Sequence, residues 1–237
     1  MVSMSDGFAA TPIPEFFRNR RHAGRVLASL LRGQAGRPDL LVLALPRGGV
    51  PVAFEVAEAL QAPLDVFIVR KLGVPGHEEY AMGAIAAGGV RVLSDEVLRT
   101  LRIPESAIEA VTRVELRELE RRERLYRGDL PPHDVRDRVA ILVDDGLATG
   151  ATMLAAVRAL ARLRPARTIV AVPTGAADTC QALRAEADEV ICAMTPEPFR
   201  AVGLWYDDFS QTSDEEVRDL LQLAREDLEA AHHAPHA

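Results

Sequence analysis

Two neighbouring carboxylates, Asp144 and Asp145, stand directly before a loop of small and hydroxyl-bearing residues, Gly146-Leu147-Ala148-Thr149-Gly150, with Ala151 and Thr152 following. Adjacent acids can accept hydrogen bonds from a pair of hydroxyls or hold a divalent cation. A Gly- and Thr-rich loop at a helix start offers free backbone N–H groups and the positive end of the helix dipole, which together hold a phosphate. Acids beside an anion site repel the ligand unless they serve another part of it. Diol and phosphate in one molecule describe a sugar phosphate. The plain alternative is a solvated turn whose acids cap a helix, and these residues alone do not decide between the two.

The flanking residues set where this chemistry sits. Val139 to Val143 is an apolar run too short for a helix and suited to a strand buried on both faces. Ala151 to Leu163 carries Met153 or Leu154, Val157 and Leu160 or Ala161 at helical spacing. The acids therefore fall at the carboxyl end of a strand, the usual ligand edge of a parallel sheet.

A second strand–turn–helix unit lies upstream. Asp39 to Leu45 ends in Pro46-Arg47-Gly48-Gly49, and Val50 to Leu60 reads as a helix. The glycines permit close backbone approach to a ligand, although a tight turn explains them equally well. A third strand, Leu64 to Val69, runs into residues 70–80, where Gly73, Pro75 and Gly76 argue against continuous helix or strand. That stretch is either a mobile lid that excludes water or an ordinary surface connection. It contains Lys71, the only lysine in a chain with 28 basic residues.

The remaining elements alternate. An amphipathic helix is expected over residues 14–32, a hairpin around Gly88-Gly89 in residues 81–93, and helices over 94–101 and 104–127. The last of these pairs Glu118 with Arg122, Glu120 with Arg124 and Glu123 with Arg127 at i,i+4. It reads as a salt-laced exposed helix or dimer face, or alternatively as an RNA-contacting helix. Strands follow at 167–172 and 189–193 with a helix to about Ala187 between them, and a closing helix is capped by Ser213 and Glu216. Strands alternating with helices imply an α/β fold with a parallel sheet and right-handed crossovers.

Composition narrows the partners. A hydrophobic share of 48% and a charged share of 27% are those of a globular protein, and 237 residues suffice for one α/β domain with additions. No apolar run reaches the roughly 20 residues of a membrane span. Residues 207–229 hold nine acids and two arginines, which accounts for the whole net charge of −7. A broad basic face for nucleic acid is not indicated. Two cysteines, Cys180 and Cys192, lack metal-ligand or CxxC spacing; a buried thiol at Cys192 and a reducing cytoplasm are expected.

The string VAILVDDGLATGAT, residues 139–152, resembles the signature of type I phosphoribosyltransferases, which use 5-phosphoribosyl-1-pyrophosphate (PRPP). The whole chain is similar to bacterial stand-alone proteins described only as predicted phosphoribosyltransferases, whose acceptor is unsettled. The resemblance implies a parallel-sheet, Rossmann-like core over about 37–195. A small hood would form from about 196–229 and the N-terminal helix, with 1–12 and 230–237 disordered. It implies PRPP contacts from Asp144 and Asp145 on the ribose hydroxyls with Mg2+ nearby. Gly146, Leu147, Ala148, Thr149, Gly150, Ala151 and Thr152 would surround the 5-phosphate. Arg47, Gly48, Gly49, Arg70 and Lys71 would face the pyrophosphate. Residues 70–80 resemble the matching stretch of adenine phosphoribosyltransferases, with Lys71 and Arg47 neutralising charge and Glu79 as the candidate proton-handling group. Phe199, Val202, Trp205 and Asp208 resemble the base-binding hood of 6-oxopurine enzymes, although these aromatics equally suit packing of the terminal helix.

Two departures narrow the base. Ala148 stands where 6-oxopurine enzymes carry a proton-handling aspartate, and no hood lysine exists to read a 6-oxo group. Hypoxanthine and guanine are therefore disfavoured, while the hood does not follow the adenine pattern, so the acceptor stays open. The expectation is a cytoplasmic homodimeric enzyme that ribosylates a nucleobase-like molecule with Mg2+ and has no membrane or nucleic-acid partner. The alternative is a PRPP- or nucleotide-binding regulator on the same fold.

Overall fold

The computed structural model describes residues 13–233. The apolar runs become strands β1 (Leu40–Ala44), β2 (Leu64–Val66), β6 (Val139–Val143), β7 (Arg167–Thr174) and β8 (Glu189–Met194). They form one parallel sheet in the order β2-β1-β6-β7-β8. Every residue of β1 and β6 is buried. Alternate residues divide between two cores: Leu40, Val42, Ala44, Val139, Ile141 and Val143 pack on one face, and Leu41, Leu43, Ala140 and Leu142 on the other. Both faces are covered, which is why these strands read as continuous apolar runs instead of alternating ones.

The first face is covered by α1 (Arg20–Leu30), α2 (Gly49–Leu60), α4 (Glu105–Arg127) and α7 (Asp214–His233). The second is covered by α5 (Ala151–Arg162) and α6 (Ala177–Leu183). Register aligns the strand ends, with Ala44 paired to Val143 and Val143 to Ala171. The Arg47-Gly48-Gly49 turn, the carboxylate pair and the segment after β7 thus emerge along one edge.

Several expectations are corrected. The leading helix starts at Arg20, not near Pro14, because the Asn19 side chain caps it by accepting from the His22 N–H. Phe17 instead pairs with Tyr206 in the hood. The third strand ends at Val66, and residues 70–80 are regular where Gly73, Pro75 and Gly76 argued against helix or strand. They belong to a three-stranded antiparallel ribbon of β3 (Val69–Val74), β4 (His77–Ala86) and β5 (Val90–Leu93). Pro75 and Gly76, the latter at φ 79°, make its two-residue turn, and the register shift near Gly73 is a bulge, so these punctuators shape a hairpin where breakage was expected. The hairpin expected over 81–93 is present as β4 and β5. The closing helix continues past Ala230 to His233; residues 1–12 and 234–237 lie outside the described residues.

After β5 come α3 (Asp95–Leu101) and α4, so residues 69–127 form an excursion between β2 and β6. Its base is closed by Arg127, whose Nε donates to Asp65 Oδ1 at 2.7 Å and whose Nη2 donates to the Val66 carbonyl at 2.6 Å. Arg127 and Asp65 are both buried. Two of the three expected i,i+4 pairs of α4 form, Glu118–Arg122 and Glu123–Arg127.

The cysteines give the plainest correction. Cys180 of α6 and Cys192 of β8 are joined in a disulfide, so Cys192 is not the free buried thiol expected. Spacing hid this because α6 folds back over β8 only once β7 and β8 are side by side.

Candidate functional site

The carboxylates follow β6 directly and are partly buried. Asp145 Oδ2 accepts from Arg20 Nε of α1 at 2.8 Å, and Asp144 Oδ1 accepts from the Asp145 N–H at 2.9 Å. Among the described residues, Asp144 Oδ2 and Asp145 Oδ1 accept no hydrogen bond. Each acid therefore has one oxygen fixed by the protein and one left over. Burial, then the Asp145 charge, holds the Asp144 carboxyl well above its ordinary range. Burial also raises Asp145, against the opposing pull of Arg20. The pair is short of positive charge.

The loop beyond the acids is held from beneath by the segment after β7. Leu147 N–H donates to the Thr174 carbonyl, Ala176 N–H donates to the Leu147 carbonyl, and Thr179 Oγ1 donates to the Ala148 carbonyl at 2.8 Å. Leu147 and Gly175 form a parallel bridge. The Leu147 side chain is buried and its amide is spent, so it serves structure. Above it the situation reverses. Among the described residues, the N–H groups of Ala148, Thr149, Gly150, Ala151 and Thr152 donate to no protein acceptor, and the first bond of α5 is Leu154 N–H to the Gly150 carbonyl. Gly150 adopts φ 68°, which aims this turn, and a Cβ there would overlap Thr179 Cγ2. Five idle donors at a helix N-terminus suit an anion.

The Arg47-Gly48-Gly49 turn closes on the acids. A side chain on Gly48 would overlap Asp145 Oδ2, and one on Gly49 would meet the Val143 carbonyl at 2.7 Å. Only glycine fits here. The Pro46–Arg47 peptide is cis. The Arg47 guanidinium lies 3.9 Å from Asp214, which accepts from the Tyr126 hydroxyl at 2.6 Å.

The ribbon residues divide. Lys71, the sole lysine, is among the residues that line a cavity of about 310 Å³ together with Ala151 and Thr152 of the first turn of α5. Its Nζ also donates to the Glu79 carbonyl at 3.2 Å. Arg70 is paired with Glu115 of α4 at 2.6 Å, which ties up its guanidinium. The Glu79 side chain is fully exposed and lines a groove toward α4, away from the carboxylates.

The hood adds contacts that sequence reasoning missed. Tyr206 Oη donates to the Asp145 carbonyl at 2.6 Å. Val202 sits against Gly146, where a Cβ would meet its Cγ1 at 2.5 Å. Trp205 stacks with Phe16 at 5.8 Å and with Phe199 at 6.5 Å, so these rings pack with one another. Trp205 Nε1 and Thr174 Oγ1 are buried without a partner among the described residues. Asp208 is exposed and accepts from the Ser210 N–H at 2.9 Å. Tyr206 was invisible because its partner is a main-chain atom 61 residues away.

The frame on which the chain meets known proteins is a parallel α/β sheet with a carboxylate pair at one strand end and a loop of uncommitted amides beside it. A match to the Phosphoribosyl transferase domain family spans residues 15–203, and the chain belongs to that family. Two Mycobacterium tuberculosis proteins, each named "Putative phosphoribosyl transferase", are 47% identical over 217 residues. That alignment covers 92% of this chain and 49% of theirs, so the chain spans about half the length of these curated relatives. The crystal structure of TT1426 from Thermus thermophilus matches with a TM-score of 0.79 at 42% identity, covering 87% of this chain and 97% of that one. The type I phosphoribosyltransferase fold expected from the sequence is the one observed. No helix of the described residues is long and apolar enough to cross a membrane.

Proposed function

We propose that this phosphoribosyltransferase uses Mg2+ and PRPP to join ribose 5-phosphate to a nitrogen of a nucleobase-like acceptor, releasing pyrophosphate. The observation that carries the reading is the set of uncommitted groups: one oxygen on each adjacent carboxylate and a run of N–H donors over 148–152. In this reading Asp144 and Asp145 accept from the two ribose hydroxyls. The 148–152 amides, with the hydroxyls of Thr149 and Thr152, take the 5-phosphate. The Arg47 guanidinium, the backbone of Gly48 and Gly49, and Lys71 face the pyrophosphate. Positioning and charge stabilisation supply most of the acceleration for a step of this kind.

A partly buried acid pair with one guanidinium beside it suits a divalent cation. Among the described residues no cluster of three His, Cys, Asp or Glu side chains exists, and Mg2+ commonly takes one or two carboxylates and completes its shell with substrate oxygens and water. Asp144 and Asp145 would hold it, and when bound it neutralises charge on the departing pyrophosphate.

In this reading the acceptor is a flat nitrogen heterocycle that meets the hood beside Phe199, Val202 and Trp205, extending or displacing the stack that the two aromatics form with Phe16. Ala148 offers no proton-handling group, which weighs against 6-oxopurines. Glu79 meets an acceptor only if the ribbon tip closes over the site. A cytoplasmic homodimer is part of this reading, and sedimentation tests the dimer. RNA binding is not favoured, because Arg121, Arg122 and Arg127 of α4 are already paired with acids.

The test is pyrophosphate release by the purified protein with Mg2+ and PRPP across a panel of purine and pyrimidine bases. Release with any base supports the reading. Tight PRPP binding with no turnover on the panel favours the regulator instead, and absence of both removes the proposal.

A further inference from the structure

One basic residue joins all three walls of the site, and nothing in the proposed chemistry uses it. Arg20, in the first turn of α1, has a side chain only 11% exposed. Its Nε donates to Asp145 Oδ2 at 2.8 Å and its Nη1 donates to the Ser210 carbonyl at 2.6 Å. Its guanidinium carbon lies 3.9 Å above the Phe209 ring, a cation–π contact that fixes the plane of the fork. Nε is also 3.2 Å from where a Cβ on Gly48 would begin, so the same group abuts the Arg47-Gly48-Gly49 turn.

We infer that Arg20 is the positioning residue of this site: by taking Asp145 Oδ2 it turns the other oxygen, Oδ1, toward the sugar hydroxyls and locks the hood to the carboxylate pair. The inference rests on reading the site as a pentose-phosphate site. A carboxylate free to rotate presents either oxygen, and ordering it costs binding free energy. A guanidinium gripping one oxygen from outside removes that freedom before the ligand arrives. Arginine suits the task because its planar fork spans two acceptors at once, which a lysine ammonium does not do in fixed geometry. The arrangement divides the labour: α1 and the hood set the carboxylate, while the β7–α6 segment sets the phosphate amides. The two halves are supported from opposite sides.

This division makes the test specific. Binding of ribose 5-phosphate and of inorganic phosphate is measured by calorimetry for the wild type, Arg20→Gln and Arg20→Lys, with melting temperatures alongside. Inorganic phosphate probes the amide loop alone, and ribose 5-phosphate probes loop and carboxylates together. The expected result is a loss of at least ~10-fold in ribose 5-phosphate affinity for Arg20→Gln, with inorganic phosphate affinity unchanged. Arg20→Lys keeps the charge and recovers only part of the loss. Equal losses for both ligands, or no loss for either variant, overturn the inference. Should Arg20→Gln fail to fold, Arg20→Lys decides on the same criterion. A wild type that binds inorganic phosphate and gains nothing from the attached ribose overturns the pentose reading itself, which is a different pattern.

Discussion

The Tyr206 hydroxyl donates to the main-chain carbonyl of Asp145 at 2.6 Å, across 61 residues of sequence. Burial, reinforced by the nearby Asp145 charge, pushes the phenol well above its ordinary range, so it stays a donor. The hood is thereby bonded to the backbone that carries the second carboxylate. Tyr206→Phe is expected to cost about 1 kcal/mol of stability and to weaken PRPP binding several-fold, read by thermal melting and titration calorimetry.

Burying two acids side by side trades stability for binding. A group whose pKa rises on folding binds more protons in the native state. Its contribution therefore falls as pH climbs from the ordinary carboxylate value of 3.8 toward the raised native value, and stays lost above it. Asp144→Asn removes that loss and keeps an acceptor for the Asp145 N–H. The variant should melt higher than the wild type at mildly alkaline pH, with the gap narrowing as pH falls. It should also lose at least ~10-fold in PRPP affinity. A variant that melts lower at every pH contradicts the account.

Gly150 should tolerate nothing larger. Alanine there must hold φ near 68° and displace Thr179, for a stability cost of about 1–2 kcal/mol. Because Thr179 also supports the Ala148 carbonyl, inorganic phosphate binding should weaken with it, and calorimetry of Gly150→Ala with phosphate checks both effects.

The fold was legible wherever burial on both faces wrote itself into a local run, as at β1 and β6, and where glycines and acids stood next to such a run. What escaped depends on contacts between distant segments. Arg20 and Asp145 are 125 residues apart, and no window of sequence contains both. A signal existed: Arg20 lies on the same helical stripe as Ala23, Gly24 and Leu27, all buried, and a charged residue on an apolar stripe calls for a partner. The ribbon escaped because Gly73, Pro75 and Gly76 disfavour regular structure within a short window, whereas a hairpin uses such residues to turn and bulge.

The disulfide should matter to the loop as well as to stability. Cys180 Sγ lies where a Cβ on Gly175 would meet it at 2.8 Å, and Gly175 pairs with Leu147. The bond spans 12 residues, so its loss should cost about 2–3 kcal/mol in the chain-entropy account. Cys180→Ala and reductant-treated wild type are expected to melt lower by the same amount and to bind inorganic phosphate more weakly. Identical melting with and without reductant contradicts this.

Buried ion pairs away from the site should behave differently. Asp65→Asn removes the nearer of the two carboxylates paired with Arg127 and leaves only Glu123 at 3.1 Å, for a cost of about 1.5–3 kcal/mol. PRPP affinity measured well below the melting transition should stay at the wild-type value, which separates this clasp from the site.

That clasp has a consequence for how such a protein diversifies. Arg127, Asp65 and the Val66 carbonyl fasten the two ends of residues 69–127 to each other, so the excursion is hinged to the sheet like a cartridge to its socket. A descendant that exchanges the cartridge and keeps the fastening inherits the acid pair and amide loop unaltered, and only what is delivered to them changes.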